Sequence, residues 1–278
     1  PLRLINFNGL DNNQSVAGSG SVTGKRFDSV LGDVGFANGY GNLATTATSA
    51  PGATSSCRMS IKTGSDGDPA DVGSGYGAFG GKFSLDIGDR VGEGQKIWYQ
   101  QQMMLPVGFS GQTGAQGYLK FLRMNHDGGG CLDMHMLTGE YDGSAANGVQ
   151  TGWTFTCEWD ATSQSESHRK TQRILTLGSW HVVEQYVKAS VDPLLSERIF
   201  WIDGVFVMSL IGNQFKWVNQ AGTLQTVTVT PIQTLDYVGD TLQSFQVFSY
   251  WNFYSPKDNT VYLQYAAYHK NEATVPNV

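Results

Sequence analysis

Glu197-Arg198-Ile199-Phe200-Trp201-Ile202-Asp203-Gly204-Val205-Phe206-Val207-Met208-Ser209-Leu210 is the stretch that decides the fold class. Two apolar runs flank Asp203-Gly204. Asp-Gly in that position specifies a two-residue type I′ hairpin turn, because both central residues take positive φ. The run Trp180–Lys188 just upstream alternates in the same manner. Val183 and Val187 point one way, and Glu184, Tyr186 and Lys188 point the other. His181 and Gln185 share the valine side, so polar groups fall on both faces of this strand.

Working outward, strand-like runs bounded by turn residues recur along the chain. They span 56–63, 79–86, 96–105, 117–124, 132–137, 153–158, 173–177, 181–189, 198–202, 205–211, 224–230, 244–251 and 260–269. Leu2–Phe7 is expected to pair with the last of them. The Gly-, Ser-, Thr- and Asn-rich region from about 8 to 55 reads as long loops with one short strand. No window carries a long helical period. More than ten antiparallel strands in one domain spanning 1–278 mean two stacked sheets or a barrel.

Composition agrees and narrows the function classes. Only 15% of the 278 residues are charged, while 35 are glycine and 12% are aromatic. Against about 25% charged in an ordinary soluble protein, this favours strands and turns. With 24 acids, 18 bases and a net charge of −6, there is no basic stripe for nucleic acid. No apolar run is long enough to cross a bilayer. The opening Pro1-Leu2-Arg3-Leu4 lacks a signal-peptide pattern and reads as a native start or a mature secreted one, the latter implying the extracellular space. Cys57, Cys131 and Cys157 are odd in number and widely spaced. They allow at most one disulfide and no zinc-type pair, and the plain reading is three small buried side chains.

Candidate chemistry follows from the strand faces. In Cys131–Leu137, Leu132, Met134 and Met136 belong in the core, which leaves Asp133 and His135 on an open face. In Gly117–Met124, strict alternation forces either Lys120 or Arg123 out of the core. Trp98, Tyr99, Tyr118, Tyr186, Trp201, Tyr250 and Trp251 lie near these polar groups. Sugar rings stack on aromatic faces, although core is the safer assignment for any single aromatic. Asp66, Asp68 and Asp71 form an acidic loop that is read either as a Ca²⁺ site or as a solvated turn; no other cofactor is expected. There is no G-x-S-x-G, H-E-x-x-H or P-loop sequence.

Several segments together resemble the alginate-lyase-like polysaccharide lyases and their phage-encoded relatives. Trp180-His181-Val182-Val183-Glu184-Gln185-Tyr186-Val187-Lys188 is similar to their W-x-x-x-E-Q-Y-V-K segment. The Asp203-Gly204 hairpin, Ile97-Trp98-Tyr99 through Leu105-Pro106, Gly117–Arg123, and Phe248-Ser249-Tyr250-Trp251-Asn252 follow in the family's order over about residues 95–270. The resemblance implies an antiparallel, two-sheet, concanavalin-like jelly-roll sandwich with minimal helix. It places Lys120 on the strand that carries a functional lysine. The family's Gly-Gly-Lys-Leu-Pro context is absent, and Asp133-x-His135 stands where a Ser-x-Arg is expected.

Two functions follow. One is a virion-associated, bacteriophage-type capsid decoration or tail module that recognises a glycan, with other virion proteins or further copies of itself as partners. The other is an active lyase that cleaves a uronic-acid polymer by β-elimination. The candidate catalytic residues are Lys120, His135 and Tyr186. Arg123, Gln185, Lys188, Tyr118 and Asp133 are candidate substrate-binding residues.

Overall fold

In a computed structural model, the described residues are 2–6, 20–21, 34–37, 43–61, 78–109, 118–127, 131–137, 141–142, 149–159, 162–165, 169–251 and 259–270. They form strands and turns in two antiparallel sheets.

Sheet A contains β1 (Leu2–Asn6), β4 (Leu43–Thr46), β5 (Ser56–Ile61), β7 (Lys96–Met104), β14 (Trp180–Lys188), β15 (Glu197–Ile202), β16 (Val205–Ile211), β17 (Gln214–Val218), β18 (Leu224–Thr228) and β20 (Asn259–Lys270). Sheet B contains β2 (Gly20–Ser21), β3 (Val34–Ala37), β6 (Ala78–Val91), β8 (Tyr118–His126), β9 (Cys131–Leu137), β10 (Tyr141–Asp142), β11 (Val149–Trp159), β12 (Thr162–Ser165), β13 (Arg169–Thr176) and β19 (Leu242–Trp251). Sheet A runs β18-β17-β16-β15-β14-β7-β20-β5-β4, and sheet B runs β10-β11-β9-β8-β19-β6-β3-β2. β1 pairs with β20 as expected. The region expected to be loops with one strand holds the three short strands β2, β3 and β4.

The hairpin forms as its sequence specifies. Asp203 takes φ 52° and Gly204 φ 71°. The Asp203 carboxylate then reaches back over the start of β14. It accepts a hydrogen bond from Val182 N at 2.9 Å and lies 2.8 Å from His181 Nδ1. His181 Nε2 accepts from Thr176 N at 3.0 Å, so Nδ1 carries the proton and donates to Asp203. The turn is thereby tied to two strands besides its own.

Alternation fills the space between the sheets. Ile97, Tyr99, Gln101 and Met103 of β7 are buried, as are Val183, Gln185 and Val187 of β14 and Phe200 and Ile202 of β15. Tyr99 of sheet A stacks on Phe245 of sheet B at 4.8 Å, and Phe245 stacks on Tyr268 at 5.2 Å. Burial alone pushes the Tyr99 phenol well above its ordinary range. A bulge between Phe200 and Trp201 lets both Val207 and Met208 reach the core while Phe206 lies beside Trp201 outside it.

Candidate functional site

Sheet B carries five of the residues singled out from the sequence: Tyr118, Lys120 and Arg123 on β8, and Asp133 and His135 on β9. Met124, Leu132 and Phe245 are buried between the sheets. Positions one step along each strand therefore belong to the outer side of the pleat. Register sets Arg123 opposite Asp133 and Gln246, and Lys120 opposite His135 and Tyr250. β11 extends the two rows with Thr156 beside Asp133 and Thr154 beside His135. Tyr118 pairs with Leu137.

The choice between Lys120 and Arg123 that strict alternation imposes does not arise. A register shift lies between Lys120 and Leu122. Three steps on β8 thus match two on β9, and both cationic positions fall in the rows of Asp133 and His135. Bulges of this type redirect a side chain without ending the sheet. Arg123 is half-buried.

The other three residues lie on sheet A. Tyr186 and Lys188 are on its outer face and do not meet Lys120 or His135. Gln185, expected among the substrate contacts, takes the opposite side of this strand. It is 1% exposed and sits between the sheets, where the carboxamide oxygen accepts from Arg198 Nη2 at 3.0 Å and Nε at 3.2 Å. A buried guanidinium needs such acceptors, and Gln185 provides them. Lys188 Nζ lies 3.2 Å from Glu197 Oε1. Burial, and after it the Glu197 carboxylate, push the Tyr186 phenol up. Its hydroxyl is buried without a hydrogen-bond partner of full geometry. Asp66, Asp68 and Asp71 lie outside the described residues.

The outer face of sheet A also holds a set that sequence reasoning left unassembled. Glu184, Gln100 and Ala267 share one row. Gln100 Nε2 donates to Glu184 Oε1 at 2.9 Å, and Tyr265 OH donates to Gln100 Oε1 at 2.9 Å. Burial and the Glu184 charge raise the Tyr265 phenol. Beside this trio, Tyr186, Ile199 and Trp201 form a second apolar cluster against which Trp98, Phe206 and Ile211 pack. Trp98 stacks on Trp201 at 5.0 Å and tilts against Tyr186 at 5.3 Å. The alternation of Trp98, Gln100 and Gln102 with Ile97, Tyr99 and Gln101 was the available signal.

No family model matches the chain, and no curated protein matches it. Solved structures do. The catalytic domain of PdAgaC aligns with a TM-score of 0.55 at 10% identity, covering 99% of this chain and 92% of that one. An endo-1,3-β-glucanase from Streptomyces sioyaensis aligns at 0.51 and 13% identity, covering 97% and 95%. An endo-β-1,4-glucuronan lyase from the fungus Trichoderma reesei aligns at 0.50 and 13%, covering 94% of each chain. The two stacked antiparallel sheets and these full-length alignments make the chain a concanavalin-like jelly roll that resembles the polysaccharide lyases in fold.

Proposed function

We propose that the chain recognises a glycan on the outer face of sheet B and does so as a virion component, a capsid decoration or tail module. The observation that carries the glycan reading is the paired register of Lys120 with His135 and Arg123 with Asp133. Two cationic positions in adjacent rows, flanked by Tyr250, Gln246, Thr154 and Thr156, suit a polymer of carboxylated sugars. The cations match the carboxylates, and the neutral polar groups match the hydroxyls. Structures of the same fold bear the names of a glucuronan lyase and a glucanase, which supports a glycan partner. The virion placement is supported by the likeness of Phe248–Asn252 to phage-encoded sequences.

The adjacency of Lys120 and His135 also favours a second reading, β-elimination. That reaction needs a cation at the C5 carboxylate, a base for the C5 proton and an acid for the leaving oxygen. One pair of assays separates the two. Uronic-acid polymers are screened for binding by calorimetry and for unsaturated product by absorbance. Recognition predicts binding without product, weakened in Lys120→Ala and Arg123→Ala. Product formation abolished in His135→Ala replaces recognition with lyase activity. Failure of every uronate polymer to bind overturns the assignment of this face.

A further inference from the structure

We infer that β18, the edge strand of sheet A, is a dimerisation surface, pairing antiparallel with β18 of a second copy of this chain about a two-fold axis at Thr226. The surface is an edge of sheet A and shares no residue with the outer face of sheet B, so it stands whether or not that face binds a glycan.

Register fixes which backbone groups of β18 face outward. Val229 N donates to Asn213 O at 2.9 Å, and Asn219 N donates to Thr223 O at 3.0 Å. In an antiparallel ladder such bonded pairs alternate with pairs that do not bond across. Between these two ends, β17 and β18 run from Gln214 opposite Thr228 to Val218 opposite Leu224 without a register shift. The bonded pairs are therefore Phe215 with Val227 and Trp217 with Gln225. Leu224, Thr226 and Thr228 turn their N–H and C=O groups away from β17. Sheet A ends at β18, so among the described residues no strand meets these groups. Leu224 is 53% exposed, and Thr226 and Thr228 are exposed as well.

Edges of monomeric sheet proteins are blunted by short strands, lysine, proline or a bulge. β18 carries none of these. No residue from 217 to 235 is charged, although 15% of the chain is. Pro231 comes only after the outward-facing groups. Among the described residues, the strands at the other ends of the two sheet orders are short: β4 has 4 residues, and β2 and β10 have 2 each. The β18 edge is also held in place. Asn219 Oδ1 accepts from Ala221 N and Thr223 N at 3.0 Å each in the turn before it, and Gln214 Nε2 donates to Thr228 Oγ1 at 3.2 Å near its end. A pre-formed strand gives up little freedom on pairing.

A second copy fits this edge. Antiparallel pairing about Thr226 sets Thr226 opposite the partner's Thr226 and Leu224 opposite the partner's Thr228. These are the bonded positions of the new ladder, so each pair exchanges two backbone hydrogen bonds. Threonine facing threonine is a favourable cross-strand pair, and Leu224 is covered against a threonine methyl. No like charges face each other. Lys216, opposite Thr226 on β17, stands three strand spacings from the partner's Lys216, about 14 Å, beyond the screening length of about 8 Å at physiological salt. The pairing uses one edge of each copy and closes on itself, so it gives a dimer and not a fibre.

The test uses the full chain. Sedimentation equilibrium should show a dimer that dissociates on dilution. Hydrogen exchange of the segment 223–230 should slow as concentration rises, because the Leu224, Thr226 and Thr228 amides gain partners. Thr226→Lys sets two ammonium groups face to face at the axis and should weaken association about ten-fold or more. Thr226→Glu should do the same. An equimolar mixture of the two variants should restore dimerisation, because opposite charges then face each other; a substitution that merely damaged the strand would not be rescued. Gln220→Lys, exposed in the turn before β18, should leave the dimer intact. The inference is overturned if the chain stays monomeric up to about 1 mM, if the dimer survives both Thr226 substitutions, or if mixing them restores nothing. It is also overturned if the 223–230 amides are equally protected at every concentration, because the chain itself would then cover the edge.

Discussion

Asp203→Ala should destabilise the fold by about 4 kcal/mol, which is large for a residue in an exposed turn. The Asp203 carboxylate accepts from Val182 N and from His181 Nδ1 at 2.9 and 2.8 Å. Hydrogen bonds to a charged group contribute about 1.5–3 kcal/mol each. The side chains are 11% and 28% exposed for His181 and Asp203, so the low end applies, and the two together give about 3 kcal/mol. Alanine at φ 52° adds about 1 kcal/mol that aspartate, tolerant of the left-handed region, largely avoids. Asp203→Asn keeps the turn conformation and an acceptor for Val182 N, and should cost about half as much. Asp203→Gly removes the backbone cost but both hydrogen bonds as well, and should fall between. Urea unfolding followed by tryptophan fluorescence reads all three, with Trp201 two residues from the change. An Asp203→Ala midpoint within about 0.5 kcal/mol of wild type, the ordinary surface-mutation range, would refute the claim that this carboxylate ties the hairpin to β14.

Burial of Asp240 would raise its pKa, but the hydrogen bond from His126 and those from the Asp236 and Thr241 amides outweigh it and hold the carboxyl below its ordinary range. Its folded pKa is thus below the unfolded one, so the stability it contributes is present above the unfolded value and lost as pH falls through the folded value. Asp240→Asn should cost about 1.5–3 kcal/mol at neutral pH, the worth of a hydrogen bond to a charged group, and the gap to wild type should narrow below about pH 4 in acid-unfolding curves. Gly212→Ala should be worse than Gly178→Ala although both have positive φ. The new Cβ at 212 meets the Leu194 backbone oxygen at 2.8 Å, whereas at 178 it meets only the movable Val107 Cγ2; thermal melts of the two variants check the order. Burial pushes the Cys57 thiol up to about 12, with Arg58 offsetting only part of that, so Cys57 should resist thiol reagents at pH 8 until denaturant is added.

Much of this architecture was legible in the sequence because local rules and tertiary packing agree. Asp203-Gly204 named its turn, and the valine side of β14 is the core side, with His181 and Gln185 on it as alternation required. β17 was missed although Gly212-Asn213 is a two-residue turn signal and Phe215 and Trp217 alternate with Gln214 and Lys216. The polar positions of that short strand hid the pattern. The site was less legible because it depends on irregularity. The shift between Lys120 and Leu122, which brings Lys120 and Arg123 into neighbouring rows, has no marker in Lys120-Phe121-Leu122-Arg123. Gln185 looked available beside Glu184 and Lys188, and its role became clear only with Arg198 buried on the neighbouring strand, diagonal to it. Tyr186 and Lys120 were grouped on chemistry alone, and sheet membership separates them.

The most direct measurement of the central claim is a crystal structure of the chain soaked with an oligouronate. A sugar chain should run across β8 and β9, with carboxylates at Lys120 and Arg123 and rings near His135 and Tyr250. An oligouronate bound instead at Trp98 and Glu184 on sheet A, or a sheet B face left empty at saturating ligand, would contradict it.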